Sequence, residues 1–320
     1  PDFKKKHKCA TIKETSEYLD DFCDYPMDVN GDGYTDIVTG AWFGQPMRWL
    51  ENPKGEEKEW PVHEIAQVGP IETIRFWDVD GDGTVEVCPN AGGNVVFFKL
   101  DRDANGKGTG KFTRYVVKEG GCGHGLGYGD VNGDGRGDFI VPEGWFEGPK
   151  EPLKGPWTFH ADFNLGSASV PTLVYDVNED GKADLIVGQA HDYGLDWWEQ
   201  GAGADGKPSW TKHRVDSDVS EYHDMQLVDI NKDKKLELVT GKRFRAHNDN
   251  DPGAADPVIT CYYTIDKGQF ERHVIDFGPA AEHSGVGIYF WIADLDGNGW
   301  DDIVAPGKEG LYLFRNMGKK

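Results

Sequence analysis

The sequence predicts an all-β fold, a β-propeller of four-stranded blades, on the basis of three observations. A nine-residue acidic stretch recurs six times, with its first Asp at positions 28, 78, 130, 176, 229 and 294. Successive copies lie roughly 50 residues apart, a period typical of propeller blades. Glycine occurs 43 times and aromatic residues make up 12% of the chain, as expected for many short strands joined by tight turns.

The repeated stretch has the composition of a calcium-binding loop. The first copy runs from Asp28 to Asp36 and reads DVNGDGYTD. Carboxylate or amide oxygens occupy positions 1, 3, 5 and 9, usually with Gly at position 6, and a hard cation such as calcium requires alternating oxygen ligands of this kind. An apolar run follows each loop at once, which indicates a strand and excludes the long helix of an EF-hand.

We therefore predict structural calcium in five of the loops. The expected ligands are Asp28, Asn30, Asp32, Asp36, Asp78, Asp80, Asp82, Glu86, Asp130, Asn132, Asp134, Asp138, Asp176, Asn178, Asp180, Asp184, Asp294, Asp296, Asn298 and Asp302. The fifth copy has Lys234 in place of Gly, so we expect no cation there.

Each repeat contains four strand patterns, which we order from the propeller axis outward. In the first repeat a short strand precedes the loop, Ile37-Val38 begins the second strand, the aromatic segment 47–50 forms the third, and the alternating segment 60–65 forms the fourth. We place the blades at about 22–66, 72–118, 124–162, 170–216, 223–275 and 288–315, in a single domain over residues 1–320. Six blades are counted, with seven as the alternative.

The last repeat lacks a fourth strand after Phe314, and the chain start offers a replacement. Residues 3–12 include His7-Lys8-Cys9, which repeats the pattern of His273-Val274-Ile275. An N-terminal strand that completes the last blade would remove an exposed sheet edge. The longest spacing between loops is explained by one polar insertion, residues 242–257.

The loops, each followed by Ile-Val-x-Gly or a close variant, resemble FG-GAP/VCBS repeats. These are the calcium-loop blades of integrin α-subunit propellers and of many exported bacterial proteins. The resemblance covers nearly the whole chain and implies the fold, whereas propellers carry many different activities.

Charge and composition restrict the function. The net charge is −22, which argues against nucleic acid or anionic membrane as a partner. No run of 18 apolar residues occurs, so we expect no membrane insertion, and no signal peptide is seen. Calcium outside the cytoplasm would fill the loops, so we expect a secreted or periplasmic protein. The five scattered cysteines favour buried thiols, and any disulfide pairing stays open.

Three histidines should converge at one mouth of the propeller channel. His124 and His223 each lie six residues before a loop, and His191 lies fifteen residues after Asp176, in the blade between them. Three imidazoles from adjacent blades could hold zinc or a similar transition metal with an open position for water or substrate. The alternative is that each His only bonds a neighbouring loop. The histidines at 7, 63, 160, 213 and 273 repeat on the outer strands and are expected to be structural.

Other polar and aromatic groups map to the same mouth. Aromatic faces beside charged groups suit a sugar that carries a carboxylate or a carbonyl, although the Trp residues could equally pack between blades. The predicted catalytic residues are Glu143, Tyr222, Lys242, Arg243 and His247. The predicted substrate-binding residues are Trp42, Trp145, Asp192, Tyr193 and His283.

A second resemblance concerns function. Segments 123–127 (GHGLG), 188–191 (GQAH) and 239–247 are similar to the propeller domain of the fungal aldos-2-ulose dehydratase family and to related bacterial FG-GAP proteins. That resemblance implies metal-assisted elimination of water from a keto-sugar. Other calcium-loop propellers are lyases that act on uronate polysaccharides.

The favoured hypothesis is a metal-dependent carbon–oxygen lyase acting on a carbohydrate. The metal at His124, His191 and His223 would acidify a C–H bond. His247 or Tyr222, with Glu143 behind them, would take the proton, and Arg243 and Lys242 would stabilise the enolate-like charge. The alternative is a non-catalytic propeller that binds glycan or protein. A hydrolase with the carboxylate pair Glu143 and Asp192 is a weaker third interpretation.

Overall fold

The computed structural model describes residues 8–12, 14–15, 18–44, 46–120, 124–203 and 207–318. Within these ranges the regular structure is β-sheet, apart from a single 3-10 turn at Ala246–Asn248. The chain divides into two compact units: unit 1 is residues 1–122 with 151–156, and unit 2 is residues 123–150 with 157–320. A single domain over residues 1–320 remains a prediction.

Unit 1 contains a small two-stranded sheet, β1 (Glu14–Thr15) and β2 (Tyr18–Leu19), and the first two blades. Blade 1 consists of β3 (Cys23–Met27), β4 (Asp36–Gly40), β5 (Met47–Leu50) and β6 (Val62–Ala66). Blade 2 consists of β7 (Ile71–Trp77), β8 (Glu86–Ala91), β9 (Val95–Arg102) and β10 (Gly108–Lys118).

Unit 2 contains the other four blades. Blade 3 consists of β11 (Gly127–Gly129), β12 (Asp138–Val141), β13 (Gly144–Glu147) and β14 (Thr158–His160). Blade 4 consists of β15 (Leu173–Tyr175), β16 (Asp184–Gly188), β17 (Tyr193–Ala202) and β18 (Pro208–Ser220). Blade 5 consists of β19 (Tyr222–Val228), β20 (Glu237–Lys242), β21 (Val258–Asp266) and β22 (Gln269–Gly278). Blade 6 consists of β23 (Trp291–Ala293), β24 (Asp302–Gly307) and β25 (Gly310–Phe314).

Within every blade the strands are antiparallel and lie side by side in chain order. This arrangement confirms the all-β fold class and the six blades of the predicted β-propeller. The polar insertion is also confirmed, since it lies between β20 and β21.

The start of the chain differs from the prediction of a closing strand at residues 3–12. Residues 1–7 lie outside the described residues, and residues 8–12 form no strand. The Cys9 carbonyl accepts a hydrogen bond of 2.9 Å from the Trp60 amide. Lys8 pairs with Glu59 at 2.7 Å, and Thr11 donates to the same carboxylate at 2.8 Å. The described part of this segment therefore binds the residues that precede β6, and blade 6 has three strands among the described residues.

The loops are anchored in the core by their second residue. This residue is apolar and at most 7% exposed in blades 1 to 5: Val29, Val79, Val131, Val177 and Ile230. In unit 2 it joins the apolar clusters between neighbouring blades, where Val177 packs with residues such as Ile186, Leu195 and Met225. Burial of this side chain fixes each acidic turn to its blade.

Glycine allows the inner strands of blades 3 and 4 to meet. Gly127 pairs with Thr172 in a parallel bridge, and the Thr172 amide donates to the Leu126 carbonyl at 3.1 Å. A Cβ atom at Gly127 would lie 2.3 Å from the Thr172 carbonyl oxygen. The glycine-rich sequence of residues 125–129 is therefore required by the close approach of two backbones.

We expect Gly127→Ala to destabilise the protein by about 1–3 kcal/mol, because the added methyl group must push two strands apart. The measurement is urea-induced unfolding followed by tryptophan fluorescence. Gly92→Ala is the matched control, since Gly92 is exposed in a turn and a Cβ atom added there would have no neighbour within 4 Å. Equal stability of the two variants would contradict this account.

Asp216 is the centre of a buried polar network between blades 4 and 5. Its carboxylate accepts hydrogen bonds from the hydroxyls of Tyr222 at 3.1 Å and Tyr263 at 2.7 Å, and from the Arg272 guanidinium at 2.6 Å. Burial raises the pKa of Asp216, but the bonds from Tyr263, the Asp218 amide and Arg272 outweigh burial and hold the pKa below its ordinary value.

Because the folded-state pKa of Asp216 is depressed, its stabilising contribution is present above the unfolded pKa and is lost as the pH falls through the folded pKa. We expect Asp216→Asn to cost about 2–3 kcal/mol at pH 7, with a smaller loss at a pH below the folded-state pKa, where the wild-type carboxyl is protonated. Urea unfolding at both pH values measures this. Asp218→Asn, at an exposed position, is the control. The same loss at both pH values would rule out the ionised carboxylate as the cause.

Candidate functional site

The three predicted metal-binding histidines come from three neighbouring segments of unit 2. His124 precedes β11, His191 lies in the turn between β16 and β17, and His223 lies in β19. Main-chain hydrogen bonds hold these segments together: the Ala190 amide donates to Ser167 at 2.8 Å, and residue 170 donates to the His223 carbonyl at 3.3 Å. The positions of the imidazoles are therefore fixed by the backbone of blades 3, 4 and 5.

The imidazole rings meet at close range. The Nε2 atoms of His124 and His223 lie 3.2 Å apart. One ring nitrogen from each of the three histidines lies within 4.8 Å of the others, and His223 is fully buried. The structure thus brings together the three histidines that the spacing of the loops predicts to converge from different blades.

The outer nitrogens of two of these rings have acceptor partners. His124 Nδ1 donates to the Ala168 carbonyl, and His191 Nδ1 donates to the Asp251 carboxylate at 2.9 Å. A carbonyl and a carboxylate can only accept, so both Nδ1 atoms carry hydrogen, and in the neutral imidazoles both Nε2 atoms keep a lone pair. Second contacts of this kind orient histidine ligands in metal sites. The donor set therefore fits a borderline metal such as zinc.

Asp251 also binds His247, the residue that the sequence predicts as a general base. His247 Nδ1 lies 3.0 Å from both Asp251 oxygens, and its ring stacks on His191 with centroids 4.7 Å apart. Burial raises the pKa of Asp251, but the bonds from His247 and His191 outweigh it and lower the pKa. The His247 side chain is 53% exposed, so its Nε2 is accessible from solvent.

Sequence reasoning missed Asp251. It lies in the polar insertion, which has no strand periodicity, and the only signal was its spacing of four residues after His247. It also missed Glu221, the fully buried residue that precedes β19.

Glu221 and Lys242 form a buried pair of opposite charges. The Lys242 ammonium lies 3.7 Å from Glu221 Oε2 and 2.9 Å from Ser220 Oγ, and Lys242 is 1% exposed. Burial raises the pKa of Glu221 to about 7 against the opposing charges of Lys242 and Arg243, and burial lowers the pKa of Lys242. Lys242 therefore acts on Glu221 and Ser220 as a positioning residue, which corrects its predicted direct role at a substrate.

Two further predicted site residues are structural instead. Tyr222 is fully buried, its hydroxyl is bound to Asp216, and burial raises its pKa well above the ordinary value, so it is unsuited to be a base. Trp145 is 3% exposed, stacks on His160 with centroids 4.2 Å apart and donates to Asp162 at 2.9 Å. It packs within blade 3 and offers no face to a sugar.

The remaining predicted residues are more dispersed. The Tyr193 hydroxyl donates to Asp256, and His283 Nδ1 lies 2.7 Å from Asp276. Each of these two side chains therefore contacts a nearby carboxylate.

Three predicted residues are exposed in turns. Glu143 lies between β12 and β13, and Asp192 lies between β16 and β17. Trp42 belongs to unit 1 and is 42% exposed. The turn positions of Glu143 and Asp192 leave both carboxylates in water.

The acidic loops are braced by their own carboxylates. In blade 3, Asp130 accepts from the main-chain amides of Asp134 at 3.1 Å and Gly135 at 2.8 Å. The ninth residue, Asp138, accepts from residues 131 and 148, both at 2.8 Å. Predicted ligand oxygens lie within 4.8 Å of one another in two loops: Asp78, Asp80 and Asp82 in blade 2, and Asp294, Asp296 and Asp302 in blade 6.

In blade 5, Lys234 occupies the position of the loop glycine with φ of 75°. Its amide still donates to Asp229 at 3.0 Å, so the turn keeps its shape without glycine.

The sequence comparisons identify the repeat. Residues 28–88, which contain the first two loops, match the family described as FG-GAP-like repeat. No curated protein matches the chain. The chain is therefore a β-propeller that carries FG-GAP-like repeats. Within the described residues, no helix is long and apolar enough to cross a bilayer.

Several solved structures are similar to this chain, and one of them shares its fold at a TM-score above 0.5. A lectin from Agrocybe aegerita, described as recognising non-reducing terminal N-acetylglucosamine, is 17% identical with a TM-score of 0.52, over 93% of this chain and 77% of the lectin. An auxiliary nutrient-binding protein from Bacteroides thetaiotaomicron is 9% identical with a TM-score of 0.49, over 97% of this chain and 75% of that protein. The V. cholerae biofilm matrix protein Bap1 is 14% identical with a TM-score of 0.39, over 83% of this chain and 40% of Bap1.

Proposed function

We propose that the chain is a metal-dependent carbon–oxygen lyase that acts on a sugar, either a keto-sugar or a uronate glycan. The observation that carries this proposal is the group of His124, His191 and His223, whose ring nitrogens lie within 4.8 Å of one another. A surface that only binds a glycan has no need of convergent imidazoles. Calcium in the loops and an exported location belong to the same proposal.

The three histidines would hold zinc or a similar ion through Nε2. Such an ion, when bound, supplies Lewis-acid polarisation of a carbonyl or carboxylate oxygen. The protein fixes the donor atoms: the Ala168 carbonyl holds the tautomer of His124, and Asp251 holds that of His191.

His247 is the proposed general base. Asp251 accepts its Nδ1 hydrogen, which leaves Nε2 to take a proton, and the stack on His191 places the ring beside the metal ligands. In the reaction the C–H electron pair forms the new carbon–carbon double bond, and the β C–O bond breaks toward its oxygen. The imidazolium returns the proton to that leaving oxygen. Arg243, 7% exposed and beside Glu221, would stabilise the developing enolate-like charge.

The alternative is a propeller that binds a glycan without turnover. The likeness of the fold to a GlcNAc-recognising lectin, at a TM-score of 0.52, favours a carbohydrate as the ligand in either case. The two functions differ in what happens after binding, so metal content and turnover separate them.

We expect purified protein to carry about one zinc or similar ion per chain at the histidine site. His124→Ala and His223→Ala should each lose it, because two imidazoles hold such an ion poorly. Asp251→Asn should weaken zinc affinity by about 10–100-fold through the freed His191 ring. Elemental analysis and zinc titration calorimetry measure these effects.

His283→Ala is the control for the metal measurement. The sequence position of His283 predicts that it lies at the same mouth of the channel as the three histidines, but it is bound to Asp276. If His223→Ala keeps the metal content of the wild type, the proposed three-histidine metal site is wrong.

For activity, we expect ultraviolet absorbance of unsaturated products when the zinc-loaded protein meets a panel of keto-sugars and uronate glycans. His247→Gln should lower kcat by about 10²- to 10⁴-fold without loss of zinc, because it removes the proton acceptor and leaves the ligands. His273→Gln, on the outer strand of blade 5, should keep full activity. Retained zinc and measurable glycan binding with no product from any substrate would favour the binding alternative.

A further inference from the structure

One position of the third strand faces the ninth loop residue in every blade. The strand registers define it, since Ile37 pairs with Leu50 in blade 1 and Val87 pairs with Phe98 in blade 2, so the next residue of the third strand faces residue 36 or 86. We call this the opposing residue. In blades 1 to 6 the opposing residues are Glu51, Lys99, Glu147, Glu199, Thr264 and Arg315.

In blade 2 the opposing residue supplies a positive charge to the loop. The Lys99 ammonium lies 2.7 Å from Asp80, 2.7 Å from Asp82 and 3.0 Å from Glu86. These carboxylates are the third, fifth and ninth loop residues, three of the four expected calcium ligands. Burial lowers the pKa of Lys99, but its hydrogen bonds to the three carboxylates outweigh burial and hold the pKa above its ordinary value.

Blades 1 and 4 have the opposite charge at this position. Asn30 donates to the opposing Glu51 at 3.3 Å, and Asn178 donates to Glu199 at 3.1 Å. The other oxygen of Glu51 binds an outer histidine, His63, at 2.7 Å. The opposing residue therefore adds a carboxylate to these loops, and blade 3 has the same combination of Asn at position 3 and an opposing Glu.

Basic side chains near the loops of blades 1 and 4 are held less firmly. Lys54 pairs with Asp32 at 3.4 Å and Lys182 pairs with Asp180 at 2.6 Å, with side chains 57% and 42% exposed. Lys99 is only 19% exposed and reaches the buried ninth residue. An entering ion could displace the first two into water, whereas displacement of Lys99 would leave a partly buried charge near a divalent ion.

We propose that the Lys99 ammonium occupies the cation position of the blade 2 loop, and that this loop binds no calcium although all four of its ligand positions are carboxylates. The charge of the opposing residue then decides whether a loop requires an ion. Blade 6 also has a basic opposing residue, Arg315, which contacts Asp296, but its side chain is 54% exposed and is held less firmly than Lys99. Residues 78–86 have the sequence of a calcium-binding loop, but the loop does not fit calcium while Lys99 is in place.

The experiment is calcium titration of the full chain after chelation, by calorimetry and elemental analysis. Lys99→Glu, which copies blades 1, 3 and 4, should gain one calcium per chain over the wild type, and Lys99→Gln should gain one of lower affinity. Lys111→Glu, with the same charge change at an exposed position of β10, should gain none. No gain in either Lys99 variant would overturn the proposal.

A second variant tests the wild-type loop directly. Asp80→Ala should leave the calcium content of the wild type unchanged, and it should abolish the extra site in the Lys99→Glu background, because it removes one of the ligand oxygens. Loss of one calcium from the wild type on this substitution would show that blade 2 binds the ion beside Lys99, and the proposal would fail. Urea unfolding of each variant confirms that the calcium count refers to folded protein.

Discussion

Blades 1, 3, 4 and 6 depend on one repeated interaction, in which the buried carboxylate of the ninth loop residue accepts two main-chain hydrogen bonds. In blade 1, Asp36 accepts from Val29 in its own loop at 2.9 Å and from Asn52 beyond the third strand at 2.8 Å. Asp184 does the same in blade 4 with residues 177 and 200, at 3.2 and 2.8 Å. One carboxylate thus ties the loop to two strands, and its burial is compensated by charge-assisted hydrogen bonds.

This interaction explains why blade 2 is an exception. Its ninth residue is Glu86, whose longer side chain still accepts from Val79 at 2.8 Å but turns its second oxygen to Lys99 at 3.0 Å. In blade 2 the ninth residue Glu86 and the opposing residue Lys99 therefore act together. A repeat that keeps the acidic loop pattern can differ in its ion requirement through one residue of a neighbouring strand.

The fold could be predicted from the sequence because its determinants are local. Loop, apolar strand, aromatic strand and alternating strand follow one another within each period, so blade bounds need no long-range information. The three-histidine group was also predictable, because His124 and His223 occupy the same place in two repeats and His191 lies in the blade between them. The repeat fixes where each segment ends.

The directions of side chains, and contacts between residues far apart in the sequence, were harder to predict. Tyr222 and His223 are neighbours in β19, and successive side chains in a strand point to opposite faces, so only one of the two could join the histidines. This alternation is itself sufficient to exclude Tyr222 from the histidine group. Asp251, by contrast, meets His191 across sixty residues from an insertion without a period, and no sequence pattern indicated that contact.

In unit 2 the histidine group and the acidic loops lie at opposite ends of the same inner strands, so the two kinds of polar site are separated in space. From His223 to Asp229 the chain runs six residues through β19, so the histidine and the acidic loop are about 20 Å apart at about 3.3 Å per residue. No side chain can serve both sites at that distance. Nitrogen donors at one end suit a borderline metal and oxygen donors at the other suit a hard cation, so ligand chemistry alone would separate the two proposed kinds of ion. β11 lies between the two sites: the Asp138 carboxylate braces the loop that follows this strand, and His124, which precedes it, contacts the Ala168 carbonyl.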